Sequence, residues 1–241
     1  MKSISIILPT YNEAGNINNL IKDLIKHLKL SNRRLQIIVV DDNSPDGTAQ
    51  EVQKLAKKNF PVKLFVRKNQ RGLATAIAYG IKKSKSDVIV LMDTDFNHQP
   101  KDVPRLLQPI LEKKADLAIG SRYISGGGMH KSEAGAIQFL GSKYGSLLVS
   151  QLLLNLPVSE SLSGFIALKK SCLKGLNFKK TFQGYGEYCI RLLHYFNNRG
   201  YRLIEIPVVY GKRQYGQSKS QLVKMFVDYL LTAIKLKLSN L

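Results

Sequence analysis

A chain of 241 residues, 44% apolar and 22% charged, is long enough to bury a sizeable core and too apolar for a disordered protein. Its formal charge of +20 predicts an anionic partner, whether nucleic acid, lipid head groups or a phosphorylated substrate, without choosing among them. No uninterrupted apolar run reaches the ~18 residues needed to cross a bilayer, and Cys172 and Cys189, without metal-type spacing, read as reduced, buried thiols of a cytosolic protein.

The apolar start, MKSISIILPTYNE, is too short for a signal segment and reads as a first strand over residues 3–8. Ile17, Leu20, Ile21, Leu24, Ile25 and Leu28 follow at helical spacing, with Asn16 available as a cap. Residues 35–40 form a second strand, and Val52, Leu55 and Ala56 mark a helix. Residues 62–66 form a third strand, before a helix carrying Leu73, Ala76, Ile77 and Ile81. Residues 88–92 are a fourth strand, followed by Val103, Leu106, Leu107, Ile110 and Leu111 at helical spacing, and residues 117–120 close the series. This rhythm predicts an α/β fold, a parallel sheet wound by right-handed crossovers. The second half is less regular. A glycine run, Gly126–Gly128, opens a flexible stretch, an apolar helix covers 137–154, and residues 159–165 turn into a short strand. A helix runs from Glu187 to about Asn197, and residues 201–209 make another strand. A basic, glycine-containing loop then spans 211–220, before a last apolar, lysine-spotted helix.

In such sheets ligands bind beyond the carboxyl ends of the strands. There stand Pro9-Thr10-Tyr11-Asn12-Glu13, Asp41-Asp42-Asn43-Ser44, Arg67-Lys68-Asn69, Asp93-Thr94-Asp95 and Ser121-Arg122-Tyr123. Solvent exposure explains any one of them; together, with acids and bases mixed, they predict a site. Asp93 and Asp95 follow a buried strand and would repel each other unless something positive lies between them. They read either as solvated loop carboxylates or as ligands of a hard divalent cation shared with a substrate's phosphates. Neither GxGxxG nor GxxxxGK[ST] is present, which removes the usual dinucleotide and P-loop readings. Asp46-Gly47 reads as a turn feeding a helix, and His98 as structural. Glu187 is either a site residue or a helix-start acid.

The ordered motifs ILPTYNE, VVDDNSPDGT, RGLATAIAYG, LMDTDFNHQP, GSRY, SGF and KRQYGQSKSQ resemble the family 2 glycosyltransferases of GT-A fold. Within these they are most similar to the polyprenol-phosphate (dolichol-phosphate) mannosyltransferases and their bacterial glucosyl relatives. The resemblance covers residues 3 to about 221. It implies a GT-A, Rossmann-like, mostly parallel sheet flanked by helices as a domain over 1–221, with 222–241 a C-terminal amphipathic helix at a membrane interface. It implies inverting, metal-dependent transfer of a hexose, mannose favoured, from a nucleotide-diphosphate sugar to a polyprenyl monophosphate. Pro9, Tyr11, Glu13, Val40, Asp41, Asp42, Asp93, Thr94 and Asp95 would then bind the nucleotide sugar. Asp93, Asp95 and Asn97 would hold Mg²⁺ or Mn²⁺. Asp95, Arg122, Arg213 and Lys219 would be catalytic, and Arg122, Ser163 and Gly164 would meet the acceptor phosphate.

The chain departs from the family in its acceptor region. Where a Trp and a further Arg are usual stands AGAIQFLGSKYG, with Gln138 about where the Arg would be, and the motif before Gly164-Phe165 is loosened to ESLSGF. Lys131 or Lys143 is a substitute cation. A saccharide acceptor and, from another class, nucleic-acid binding are the competing readings. Against nucleic acid stand the strand-end acids, which repel phosphate backbones. Residues 222–238, LVKMFVDYLLTAIKLKL, are too apolar for a solvated helix, yet Lys224 and Lys235 lie only about 15 Å apart along it. It is therefore expected to lie in an anionic membrane surface rather than span it. That makes the protein peripheral on the cytoplasmic face, where family members continue into transmembrane helices or recruit a small membrane subunit.

Overall fold

The computed structural model describes residues 2–28, 34–130, 136–212 and 222–239. The first half is the expected alternation: β1 (Ile4–Thr10), α1 (Ala14–His27), β2 (Leu35–Asp41), α2 (Thr48–Lys57), β3 (Val62–Val66), α3 (Leu73–Lys83), β4 (Val88–Leu91), α4 (Val103–Leu111) and β5 (Leu117–Ser121). After these come β6 (Gly128–Met129), α5 (Ala136–Leu147), β7 (Ile166–Lys169), α6 (Phe178–Thr181), α7 (Glu187–Asn198), β8 (Leu203–Pro207), β9 (Val209–Tyr210) and α8 (Leu222–Leu238). A seven-stranded sheet runs in the order β3-β2-β1-β4-β7-β5-β8, and β6 pairs with β9 apart from it.

The apolar runs are continuous because both faces of the sheet are covered. Successive side chains alternate between two cores: Ile6, Leu8, Ile37, Val39 and Val90 face α1, α2 and α4, while Ile7, Ile38, Val40, Ile89 and Leu91 face α3 and α7. Gly80 is where α3 presses on β1, and a Cβ there would collide with the Ile7 side chain.

The structure corrects several local expectations. The sheet is mostly parallel, as expected, but within it β7 enters antiparallel between β4 and β5. Asn16 does not cap α1. The helix begins earlier, and the Glu13 carbonyl accepts the N–H groups of Asn16 and Ile17 while Asn16 Nδ2 donates to the Glu13 carboxylate. The apolar helix over 137–154 is α5 followed by wider π-type turns over Leu148–Leu153. The strand after 159–165 begins at Ile166, and the strand over 201–209 is broken into β8 and β9, which belong to different sheets.

Asp46 makes the expected turn, and more. One carboxylate oxygen accepts the Thr48 N–H and hydroxyl, and the other accepts the Ala14 N–H, so it caps the starts of α2 and α1 together. Partial burial pushes the Asp46 pKa up, but these hydrogen bonds outweigh it and hold it below the ordinary value. The site's first two loops are thereby tied to each other.

One side of α8 belongs to the core, with Tyr229 and Ala233 buried and Thr232 bonded to Arg191 of α7. Its other side leaves Val227, Leu231, Ile234 and Leu238 exposed along one stripe. Leu140 and Tyr144 of α5 and Leu152 are exposed as well, and Phe226 of α8 lies against Gly145 of α5. No helix among the described residues is long and apolar enough to cross a membrane.

Candidate active site

The carboxyl ends of β1, β2, β4 and β5 bring most of the expected residues to one sheet edge. Thr10 and Asp41 are side by side in register. Asp41 is fully buried and accepts from the Thr10 hydroxyl (3.0 Å), the Ser44 N–H (2.9 Å) and the Ser44 hydroxyl (2.6 Å). Pro9 precedes this pair, and Val40 packs in the core with its carbonyl toward Thr10, so any ligand meets Val40 through its backbone. Glu13 is drawn to α2 by its N–H, which donates to the Thr48 hydroxyl. Tyr11 lies under the Arg71 guanidinium, 3.4 Å from its ring centroid.

Asp42 is turned inward. Arg67 Nε donates to its Oδ1 at 2.6 Å and the Gly72 N–H to its Oδ2 at 2.8 Å, while Arg67 also reaches Thr75 and the Gly72 carbonyl. This buried pair fixes the loop that presents Arg71.

Asp93 and Asp95 follow β4 in a tight turn. Phe96 within it has φ 68°, a left-handed conformation costly for a bulky residue and a mark of a constrained site. Thr94 is buried, Asp95 is 7% exposed, and the Asp93 side chain is 40% exposed. The Asp95 carboxylate accepts from the Asn97 N–H and Nδ2 at 3.0 and 3.1 Å. With Nδ2 turned to Asp95, Asn97 Oδ1 is a buried acceptor with no hydrogen-bond partner, a position a cation would satisfy. Carboxylate and amide oxygens are the donor set of Mg²⁺ and Mn²⁺, so these residues fit the expected ion. Gly164 closes on this turn: a Cβ there would stand 3.7 Å from Asp93 Oδ1 and 2.8 Å from the Tyr188 hydroxyl.

Arg122 follows β5 and is held on both sides. Nε and Nη2 each donate to the Glu160 carboxylate at 2.9 Å, and the guanidinium lies 4.8 and 4.6 Å from the ring centroids of Tyr123 and Tyr210. Burial alone would lower the Arg122 pKa, but Glu160 outweighs it and raises it. Glu160 is itself fixed, because Glu205 of β8 accepts the N–H groups of Ser159 and Glu160. Tyr123 Oη meets Ser142 Oγ at 2.6 Å, joining α5 to the site. Ser163 Oγ meets Tyr210 Oη at 2.7 Å.

Arg213, Lys219 and Lys131 lie outside the described residues, as does the Gln138 side chain. Glu187 serves its own helix start: its carboxylate accepts the Tyr185 and Gly186 N–H groups. Cys172 and Cys189 are free and buried, as expected. Arg67 was expected at a strand end without a role, and Glu160, Tyr210 and Arg71 were not foreseen from the sequence. The acid opening ESLSGF and the arginine opening RGLATAIAYG were the available signals.

A strand-end site with paired aspartates, on a mostly parallel sheet entered by one antiparallel strand, defines a GT-A glycosyltransferase fold. It is similar to solved structures of glucosyl-3-phosphoglycerate synthase from Mycobacterium tuberculosis. One of these, in complex with Mn²⁺, UDP-glucose and phosphoglyceric acid, has a TM-score of 0.72 at 20% identity, covering 98% of this chain and 80% of that one. The profile of the family described as Glycosyl transferase family 2 matches residues 5–157, and the chain belongs to that family. Among curated relatives, dolichol-phosphate mannosyltransferase of Pyrococcus furiosus is 34% identical over 230 residues, covering 94% of this chain and 61% of that protein. The Saccharomyces cerevisiae dolichol-phosphate mannosyltransferase is 30% identical over 231 residues, covering 94% of this chain and 84% of that protein. This chain thus spans less than two thirds of the Pyrococcus protein.

Proposed function

We propose that this protein transfers a hexose, mannose by its relatives, from a nucleotide-diphosphate sugar to a polyprenyl (dolichyl) monophosphate, with inversion. The observation that carries the reading is the turn after β4, where Asp93 and Asp95 stand with the unpartnered Asn97 Oδ1, beside Gly164. These three residues would hold Mg²⁺ or Mn²⁺, which as a Lewis acid neutralises charge on a leaving diphosphate. The Asp41 loop and the Tyr11–Arg71 pair supply a polar, stacked surface for base and ribose. Arg122, fixed by Glu160, spends two of its N–H groups there and has three of its five left for an acceptor phosphate. Ser163 and Gly164 line that side, and Arg213 and Lys219 are the further cations for two anions that would otherwise repel. The acceptor oxyanion needs no base. It forms the new bond to the anomeric carbon as the bond to the diphosphate oxygen breaks on the opposite face, its electron pair leaving with the nucleotide diphosphate.

Differential scanning with Mn²⁺ and each of GDP, UDP and their sugars tests the donor half. The nucleotide of the true donor raises the melting temperature only when the metal is present; no shift with any of them contradicts the reading.

We place the protein at the cytoplasmic face of a membrane, docked by the exposed stripe of α8 with Leu140, Tyr144 and Leu152 beside it, and drawn there by its positive charge. The wild type is expected to float with liposomes of anionic lipid, and less so at high salt. Leu231→Glu with Ile234→Glu changes only exposed side chains and is expected to weaken binding at least about 10-fold. Equal flotation of both forms would rule out this stripe as the anchor.

A further inference from the structure

Behind the Asp93–Asp95 turn, a buried polar chain joins segments far apart in sequence. The Asp93 N–H donates to Nδ1 of His98 at 3.0 Å. A backbone N–H can only donate, so Nδ1 carries no hydrogen. A ring with a bare Nδ1 is the neutral tautomer that carries its one hydrogen on Nε2. Nε2 lies 3.0 Å from the Tyr210 hydroxyl and 3.8 Å from Asp93 Oδ2, so its N–H goes to Tyr210. Having accepted there, Tyr210 directs its own hydrogen to Ser163 Oγ at 2.7 Å, which also accepts the Phe165 N–H at 3.2 Å. The chain has one direction throughout.

Aromatic contacts fix the same groups. Phe165 stacks on the imidazole at 4.9 Å and 11°, Tyr210 meets its edge, and the Arg122 guanidinium lies over the Tyr210 ring. A second link is made by backbone, since the Asn97 carbonyl accepts the Gly211 N–H at 2.9 Å. Apolar side chains would fill this space without the demand for complete polar pairing. What the polar chain adds is a defined position for the Asp93 backbone relative to the ring that carries Arg122.

We propose that His98, Tyr210 and Ser163 are positioning residues that hold the Asp93–Asp95 turn and Arg122 in fixed relation, so that the turn's affinity for a divalent cation depends on the Tyr210 hydroxyl. This rests on the reading of Asp93, Asp95 and Asn97 as the cation site. Tyr210→Phe keeps the ring and its contacts and removes only the hydroxyl. His98→Asn keeps an acceptor for the Asp93 N–H, and His98→Leu removes it. The full chain is titrated with Mn²⁺ at fixed GDP or UDP, following the melting temperature, and the tautomer of His98 is read in metal-free protein from its ring ¹⁵N shifts. Tyr210→Phe is expected to fold and to raise the half-saturating Mn²⁺ about 10-fold. His98→Asn should lose less than His98→Leu, and wild-type His98 should be the Nε2–H tautomer. A folded Tyr210→Phe protein with unchanged half-saturation, or a wild-type Nδ1–H tautomer, would overturn the proposal. A wild type with no Mn²⁺-dependent shift would overturn the cation reading and this dependence with it, and is recognised by an Nε2–H tautomer that remains intact.

Discussion

Asp95→Asn is expected to lower transfer about 1,000-fold, the loss of several kcal/mol of charge stabilisation, while the unliganded protein melts no lower than the wild type. The carboxylate is nearly buried and both its oxygens are engaged by Asn97. An amide of the same size keeps one acceptor but loses the charge that a cation requires. Without a ligand the substitution also relieves repulsion between Asp93 and Asp95, which offsets the hydrogen bond from Asn97 that the new amide cannot accept. Asp93→Asn should behave alike, although its more exposed side chain makes the effect on stability smaller still. Transfer rates and Mn²⁺-dependent nucleotide melting shifts, measured on the same preparations, check this. An Asp95→Asn protein with unchanged metal-dependent binding of GDP and UDP would sink the assignment.

Glu160→Ala is expected to destabilise the protein by about 3–5 kcal/mol, because it leaves the Arg122 guanidinium buried without its counter-charge. The Glu160 side chain has no exposure and that of Arg122 only 12%. Replacing both partners by Met removes the unpaired charge as well as the pair, and should recover most of that stability. Transfer should stay absent in the double variant, which separates the fold's need for Glu160 from the site's need for Arg122. Urea unfolding of the three proteins gives the comparison; a Glu160→Ala variant within about 1 kcal/mol of the wild type would mean that the pair is not what holds this corner.

The sequence was legible where local chemistry decides structure. β1, β2 and β4 are buried on both faces and therefore appear as unbroken apolar runs, and α1 and α4 repeat their apolar residues at helical spacing because one side alone meets the sheet. A short strand was expected after 159–165, but the place and direction of β7 were hidden, because its antiparallel entry between β4 and β5 is specified by that pairing and not by its own four residues. Asn16 misled for a related reason: the start of α1 is set by Asp46, 32 positions from the Ala14 N–H that it accepts. The site follows the same division. Acids at strand ends could be read directly, since the sheet's topology alone places them on one edge. The partners that orient them could not, because Glu160 is 38 residues from Arg122 and Tyr210 is 112 from His98. His98 was read as structural, and its contact with the Asp93 backbone is visible only in three dimensions.

The most direct measurement is the chemical product. The full chain is incubated with Mn²⁺ or Mg²⁺, GDP-mannose or UDP-glucose, and a short-chain polyprenyl phosphate, and the lipid fraction is examined by mass spectrometry and by the anomeric proton signal of the sugar. A polyprenyl phosphate carrying one hexose, with anomeric configuration opposite to that of the donor, is expected to form only when a divalent cation is present. Donor consumed with no sugar on the lipid, or transfer to a saccharide in place of the lipid, would contradict it.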